Sequence, residues 1–130
     1  MTESEKPTLA ILAVEDDPGV GDLLQSLLND VDGWGATVAR DAVAARSTFQ
    51  QVRIDVLVLD VELPGISGLE LLDLLRQDEA WQDQPVIIVS AKARQPEVRE
   101  AIRAGWVTEA LMKPFDIDRL VAVIAEATAR

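Results

Sequence analysis

Five times along this chain a short apolar run gives way to a segment of helical period, and no long linker or repeat interrupts the pattern. Strands separated each time by a helix cannot pair as hairpins, so the alternation points to a parallel sheet with helices on both faces. The 130 residues, 48% of them hydrophobic, suit one α/β domain with a core that needs no disulfide or metal staple.

The first strand is expected at about Leu9 to Val14, ending in Glu15-Asp16-Asp17, with Pro18 in a first helical turn. The next helix places Val20, Leu23, Leu24, Leu27, Leu28 and Val31 at helical spacing and should stop near Asp32-Gly33. A second strand follows at about Ala36 to Ala39. Asp41 then caps a helix whose buried face would hold Val43, Ala45, Phe49 and Val52. The run Asp55 to Leu59 is almost unbroken in its apolar character, as a central parallel strand should be. Pro64, Gly65 and Gly68 mark a loop before a helix at about Leu69 to Gln77. The leucines of the first and third helices are expected in the core. A fourth strand at Val86 to Val89 ends at Ser90, and a helix covers about Glu97 to Ala104. The fifth strand, near Ala110 to Met112, ends at Lys113-Pro114. The last helix starts near Asp116 and buries Ile117, Leu120, Val121 and Ile124. Trp34 and Trp81 lie near loops and should pack partially. Residues 1–8 are polar and charged and read as a flexible tail ahead of a domain at 9–130.

In open parallel sheets, ligands bind beyond the C-terminal ends of the strands. The polar groups at those ends are Glu15 and Asp16, Asp60, Ser90 and Lys113, so residues distant in sequence should meet at one edge. Clustered carboxylates beside a lysine form a hard-oxygen site of the kind Mg²⁺ prefers. A carboxylate is also a nucleophile toward phosphorus, and the transferred group then needs cations and hydrogen-bond donors around it. Composition narrows the chemistry further. The chain has no cysteine and no histidine, which removes thiolate and imidazole metal sites and imidazole acid–base catalysis. Phosphohistidine chemistry would have to come from another molecule, and a cysteine-free chain fits a reducing cytoplasm. The net charge of −11 and scattered basic residues argue against direct nucleic-acid binding. No apolar run approaches the ~18–20 residues of a membrane span.

Four segments, Ile11 to Pro18, Val58 to Gly68, Val89 to Lys92 and Met112 to Phe115, resemble the receiver domain of two-component response regulators, single-domain chemotaxis regulators included. The resemblance covers about Leu9 to Thr128. It implies a flavodoxin-like doubly wound sheet of five parallel strands in the order 2-1-3-4-5, with five helices. It further implies that Asp60 is phosphorylated, and that Asp16 binds Mg²⁺ (or Mn²⁺) directly. Glu15 would act largely through water, and the backbone carbonyl of Glu62 would be a third protein ligand. Ser90 would be the switch hydroxyl, Ala91 would leave it room to move, and Lys113 would pair with the phosphate. A cis peptide before Pro114 is part of the same pattern. The implied donor is a histidine kinase or histidine phosphotransfer protein. Output would pass to a protein target or a C-terminal output domain, with phosphorylation-dependent dimerisation through the fourth and fifth helices. The chain would catalyse only its own phosphorylation and dephosphorylation, as a stand-alone regulator or as the N-terminal module of a longer protein.

The sequence departs from that pattern in one place. Receivers usually carry an aromatic residue three positions before the lysine, and here that position is Ala110. The segment from Gly105 to Ala110 is also one residue longer than usual. Trp106 is therefore either a replacement switch aromatic or a residue that merely packs or contacts a partner. Glu62 and Lys92 carry opposite charges at the positions that flank the path of attacking water in the family. Two other functions compete: a phosphohydrolase that forms an aspartyl-phosphate, and a receiver-like binding module that is never phosphorylated. The phosphohydrolases of this kind place the nucleophile after the first strand, with a second Asp two residues later. In this chain the nucleophile follows the third strand, and Glu62 stands two residues on.

Overall fold

The computed structural model describes residues 7–129. Its elements are β1 (Leu9–Val14), α1 (Pro18–Asn29), β2 (Trp34–Ala39), α2 (Ala42–Gln51), β3 (Val56–Leu59), α3 (Gly68–Arg76), β4 (Val86–Ser90), α4 (Pro96–Arg103), β5 (Glu109–Met112) and α5 (Ile117–Ala127). The strands form one sheet in the order β2-β1-β3-β4-β5, and every neighbouring pair is parallel.

Side-chain alternation along each strand divides the core into two layers. Ile11 and Ala13 of β1, Val56 and Val58 of β3, and Ile87 and Val89 of β4 pack with Leu24 and Leu28 of α1 and Leu120 and Ile124 of α5. Their neighbours Leu12, Val14, Leu57, Leu59 and Ile88 face the other way, toward Phe49, Leu71, Leu75 and Val98 of α2, α3 and α4. Asp17 caps α1 and Asp41 caps α2 through their side chains, while Ser67 and Glu70 form a capping box on α3. No described helix is long and apolar enough to cross a membrane.

Several expectations are corrected. α1 ends at Asn29 rather than near Gly33, because Gly33 takes a positive φ of 82° and its carbonyl accepts the N–H groups of Thr8 and Leu9. β2 consequently begins at Trp34, two residues early, paired with Leu9. Val43 and Val52 are exposed, not buried. The inward stripe of α2 is Ala45 and Phe49, four residues apart, while Val43 falls on the far side and Val52 has already left the helix with extended backbone. Leu23 of α1 and Leu74 of α3 are also exposed, since the sheet covers only a stripe of each helix. On α5 the buried set is Leu120, Val123 and Ile124, with Ile117 and Val121 half-buried. Trp34 is half-buried, and Trp81 stacks at a tilt against Phe49, ring centroids 6.2 Å apart. The flexible tail expected at residues 1–8 falls mostly outside the described residues.

Candidate functional site

Register brings the strand ends to one edge. Val14 pairs with Leu59, and the Val14 carbonyl accepts the Asp60 N–H at 3.1 Å. Ser90 pairs with Met112, and the Ser90 carbonyl accepts the Lys113 N–H at 3.2 Å. Glu15, Asp60 and Lys113 thus leave the ends of β1, β3 and β5 and converge from three strands.

Lys113 Nζ donates to Asp60 Oδ2 at 2.7 Å and to Glu15 Oε1. The second oxygen of each carboxylate takes a backbone donor: Glu62 N–H reaches Asp60 Oδ1 at 2.9 Å, and Asp17 N–H reaches Glu15 Oε2 at 3.1 Å. Asp60 is 5% exposed and Glu15 2%. Asp16 is exposed, and one carboxylate oxygen from each of Glu15, Asp16 and Asp60 lies within 4.8 Å of the others. Three carboxylates against one ammonium leave a surplus of two negative charges, which a divalent cation would balance, and the all-oxygen donor set suits Mg²⁺.

The titration behaviour reflects that surplus. Burial disfavours ionised Glu15 and lifts its pKa above the ordinary 4.5; the hydrogen bonds from Lys113 and Asp17 work against the lift, and the Asp60 charge adds to it. Burial also opposes the Lys113 ammonium. The hydrogen bonds and charges of Asp60 and Glu15 outweigh it, so its pKa stands above the ordinary lysine value. A carboxyl whose pKa is raised by folding stabilises the fold fully below its unfolded value, and that contribution is lost as pH rises through the folded value. At neutral pH, ionised Glu15 therefore costs the metal-free protein stability. Glu15→Gln is expected to raise the thermal midpoint in chelator at pH 7, with the gain shrinking at pH 4 and on adding Mg²⁺. A midpoint unchanged or lowered at pH 7 would contradict this.

Around this centre stand the other residues singled out from sequence. Ser90 is fully buried, and its Oγ accepts the Lys92 N–H at 3.1 Å. Ala91 is exposed beside it. Lys92 Nζ lies 3.5 Å from Glu62 Oε2, both side chains about half exposed, so this pair bridges the β3–α3 and β4–α4 loops. Ala110 pairs with Ile88 and packs into the layer under α2, α3 and α4. Lys113–Pro114 is cis. Asp17 serves as the N-cap of α1 rather than as part of the carboxylate cluster.

Trp106, expected either as a replacement switch aromatic or as a residue that packs or contacts a partner, packs against Arg76. The chain turns at Gly105, φ 87°, and Thr108 N–H bonds the carbonyl of Val86, the first residue of β4. Trp106 therefore lies toward the N-terminal edge of the sheet, away from Asp60, with the Arg76 guanidinium 3.0 Å from its ring centroid. Gly68 is a residue whose role spacing did not reveal. It opens α3, donates its N–H to Val61 O at 2.7 Å, and a Cβ there would stand 2.0 Å from the Asp60 carbonyl oxygen.

The acidic pocket and its lysine sit where doubly wound parallel sheets bind ligands, beyond the carboxyl ends of the strands. Residues 11–125 match the response regulator receiver domain family, and the chain belongs to that family. It is 33% identical over 107 residues to the chemotaxis protein CheY of Pseudomonas aeruginosa, covering 82% of this chain and 86% of CheY. A sensor protein from Polaromonas sp. JS666 superposes with a TM-score of 0.84 at 29% identity, covering 94% of this chain and 97% of that one. The response regulator TrrA of Thermotoga maritima, in complex with Mg²⁺–BeF, superposes with a TM-score of 0.76 at 28% identity, covering 92% and 99%. The chain spans about half the length of three other regulators it matches, 48%, 52% and 43% of them. It is a CheY-like receiver domain of two-component response regulators, and three carboxylates in its pocket stand close enough together to hold a metal ion.

Proposed function

We propose that Asp60 is the acceptor carboxylate. The observation that carries this is its position: nearly buried, at the end of the central strand β3, with one oxygen on Lys113 and the other on a backbone N–H. In transfer from a phosphohistidine, an Asp60 oxygen bonds phosphorus as the donor's P–N bond breaks and the imidazole leaves with the electron pair. These 130 residues hold no histidine, and the donor in this reading is a histidine kinase or a histidine phosphotransfer protein. Lys113 holds the incoming negative charge, and Ser90 Oγ gives up its present contact with Lys92 N–H to turn toward the phosphoryl oxygens.

Asp16, Asp60 and the Glu62 carbonyl would ligate Mg²⁺, or Mn²⁺, with Glu15 acting through water. The bound cation supplies neutralisation of the phosphoryl charge. An apolar hollow of about 510 Å³ beside Lys113, formed by Val20, Leu23, Leu27, Pro114 and Phe115, supports docking of the donor protein on α1. Exposed Leu23 then has a contact to make. Output to a protein target or an attached output domain, and dimerisation through α4 and α5, belong to the same reading, as does a cytoplasmic setting.

Incubation with acetyl phosphate and Mg²⁺ should add one phosphoryl group per chain by intact mass. Continuous release of phosphate from many equivalents of ester, without a stoichiometric label, would contradict a switch role. The Glu62–Lys92 pair screens the path of attacking water in this reading, so Glu62→Ala/Lys92→Ala should hydrolyse the acyl phosphate about 1.4-fold to fivefold faster, the scale of an exposed ion pair worth ~0.2–1 kcal/mol. Equal decay rates would rule out that role.

A further inference from the structure

A trough of about 650 Å³ runs between α3 and α4. Its floor is apolar, built from Leu69, Leu72 and Ala101, and its rim carries the exposed carboxylates of Asp73, Glu97 and Glu100. No lysine or arginine lines it. Two cations stand nearby but are engaged. Arg76 lies over Trp106, with its guanidinium 3.5 Å from Asp73, and Arg103 pairs with Glu100. The Arg103 pair is exposed on both sides and worth ~0–1 kcal/mol, so a better-placed cation can replace it.

The two ends of the trough differ. Trp106, 43% exposed beneath Arg76, closes the lower end and presents a large apolar surface. At the upper end, Leu69 and Glu97 also line a second hollow of about 450 Å³ bounded by Glu62 and Lys92. The trough therefore adjoins the hollow that Glu62 and Lys92 bound. α3, nine residues long, spans about 13 Å, room for two to three turns of a helix laid alongside it.

We propose that this trough docks an amphipathic helical segment of another protein, one whose apolar stripe is flanked by lysine or arginine. The apolar floor and the tryptophan fit the stripe, and Glu97, with Glu100 once its exposed pair with Arg103 is exchanged, fits the flanking cations. An acidic or neutral segment would leave the rim charges facing like charge or apolar surface. A second copy of this strongly acidic chain is disfavoured for the same reason. The docking goes beyond the acceptor reading and does not depend on it, since no residue of the trough touches the phosphoryl position.

The test uses the full chain and a designed helical peptide of about 14 residues with leucines on one face and lysines on the other, ~21 Å long as a helix. Calorimetric titration should show saturable binding that persists at physiological salt, and the leucine/glutamate counterpart should not bind. Trp106→Ala and the double reversal Glu97→Lys/Glu100→Lys should each weaken binding about tenfold or more, as expected on losing a central aromatic anchor or the rim charge. Asp30→Lys/Glu126→Lys, an equal charge change on the α1/α5 side, should leave it within about twofold, and Asp60→Asn should leave it unchanged. In the unmodified chain, amide shifts on adding peptide should cluster at residues 68–76 and 96–107. Equal weakening by the remote reversal, or shifts centred on α1 or α5, would overturn the proposal.

Discussion

Asp60→Asn is expected to take up no phosphoryl group from acetyl phosphate and Mg²⁺, where the unmodified chain takes up one. The amide keeps the shape of the side chain but has a single carbonyl oxygen, so only one of Lys113 Nζ and the Glu62 N–H keeps an acceptor, and the nucleophilic carboxylate is gone. Neighbouring Glu15 and Asp16 do not substitute, because Glu15 follows β1 rather than the central strand β3 and Asp16 faces solvent. The same change removes one of three mutually repelling carboxylates, so the metal-free variant should unfold at a higher temperature even as it loses function. A full label on the variant, located by peptide mapping to another carboxylate, would move the acceptor elsewhere.

Gly68→Ala should cost about 3 kcal/mol or more, the upper range of overpacking, because the intruding Cβ meets backbone rather than a side chain that can rotate aside. Its nearest atoms are the carbonyl oxygen and carbon of Asp60, at 2.0 and 2.9 Å. Relief requires α3 to lift or the Asp60 peptide to turn, and either displaces the acceptor carboxylate. The variant should therefore show both a lowered urea midpoint and slowed labelling. Gly65→Ala makes a useful contrast: nothing lies within 4 Å, so only its φ of 87° opposes the change, at about 1 kcal/mol, with labelling nearly intact. Equal stability of Gly68→Ala and the parent would mean that α3 does not approach Asp60 as closely as described.

The strands were legible because each is short, apolar and bounded by polar residues. β3 lies within a residue of its expected start, and the residues following β1, β3 and β5 meet as expected. Helix faces were less legible. Val43 and Val52 look like core by composition, yet α2 is only ten residues long and turns inward through Ala45 and Phe49. Leu23 and Leu74 misled for the same reason, since hydrophobicity marks a residue that wants a partner without saying whether the partner is in the chain. Trp106 could not be placed from sequence because its position depends on the turn at Gly105 and on Arg76, thirty residues away. The Glu62–Lys92 pair was readable, since Glu62 stands two residues after Asp60 and Lys92 two after Ser90, at the ends of neighbouring strands.

The two helical layers assign the chain's exposed features to opposite sides. The apolar hollow beside Lys113 belongs to α1 and α5, and the carboxylate-rimmed trough to α3 and α4. A donor on one side and a basic helix on the other would not contend for surface. With both sites occupied, such a domain would serve as a fixed relay station, receiving on one side while a partner already waits on the other, rather than as a courier that must leave its sender before it can deliver.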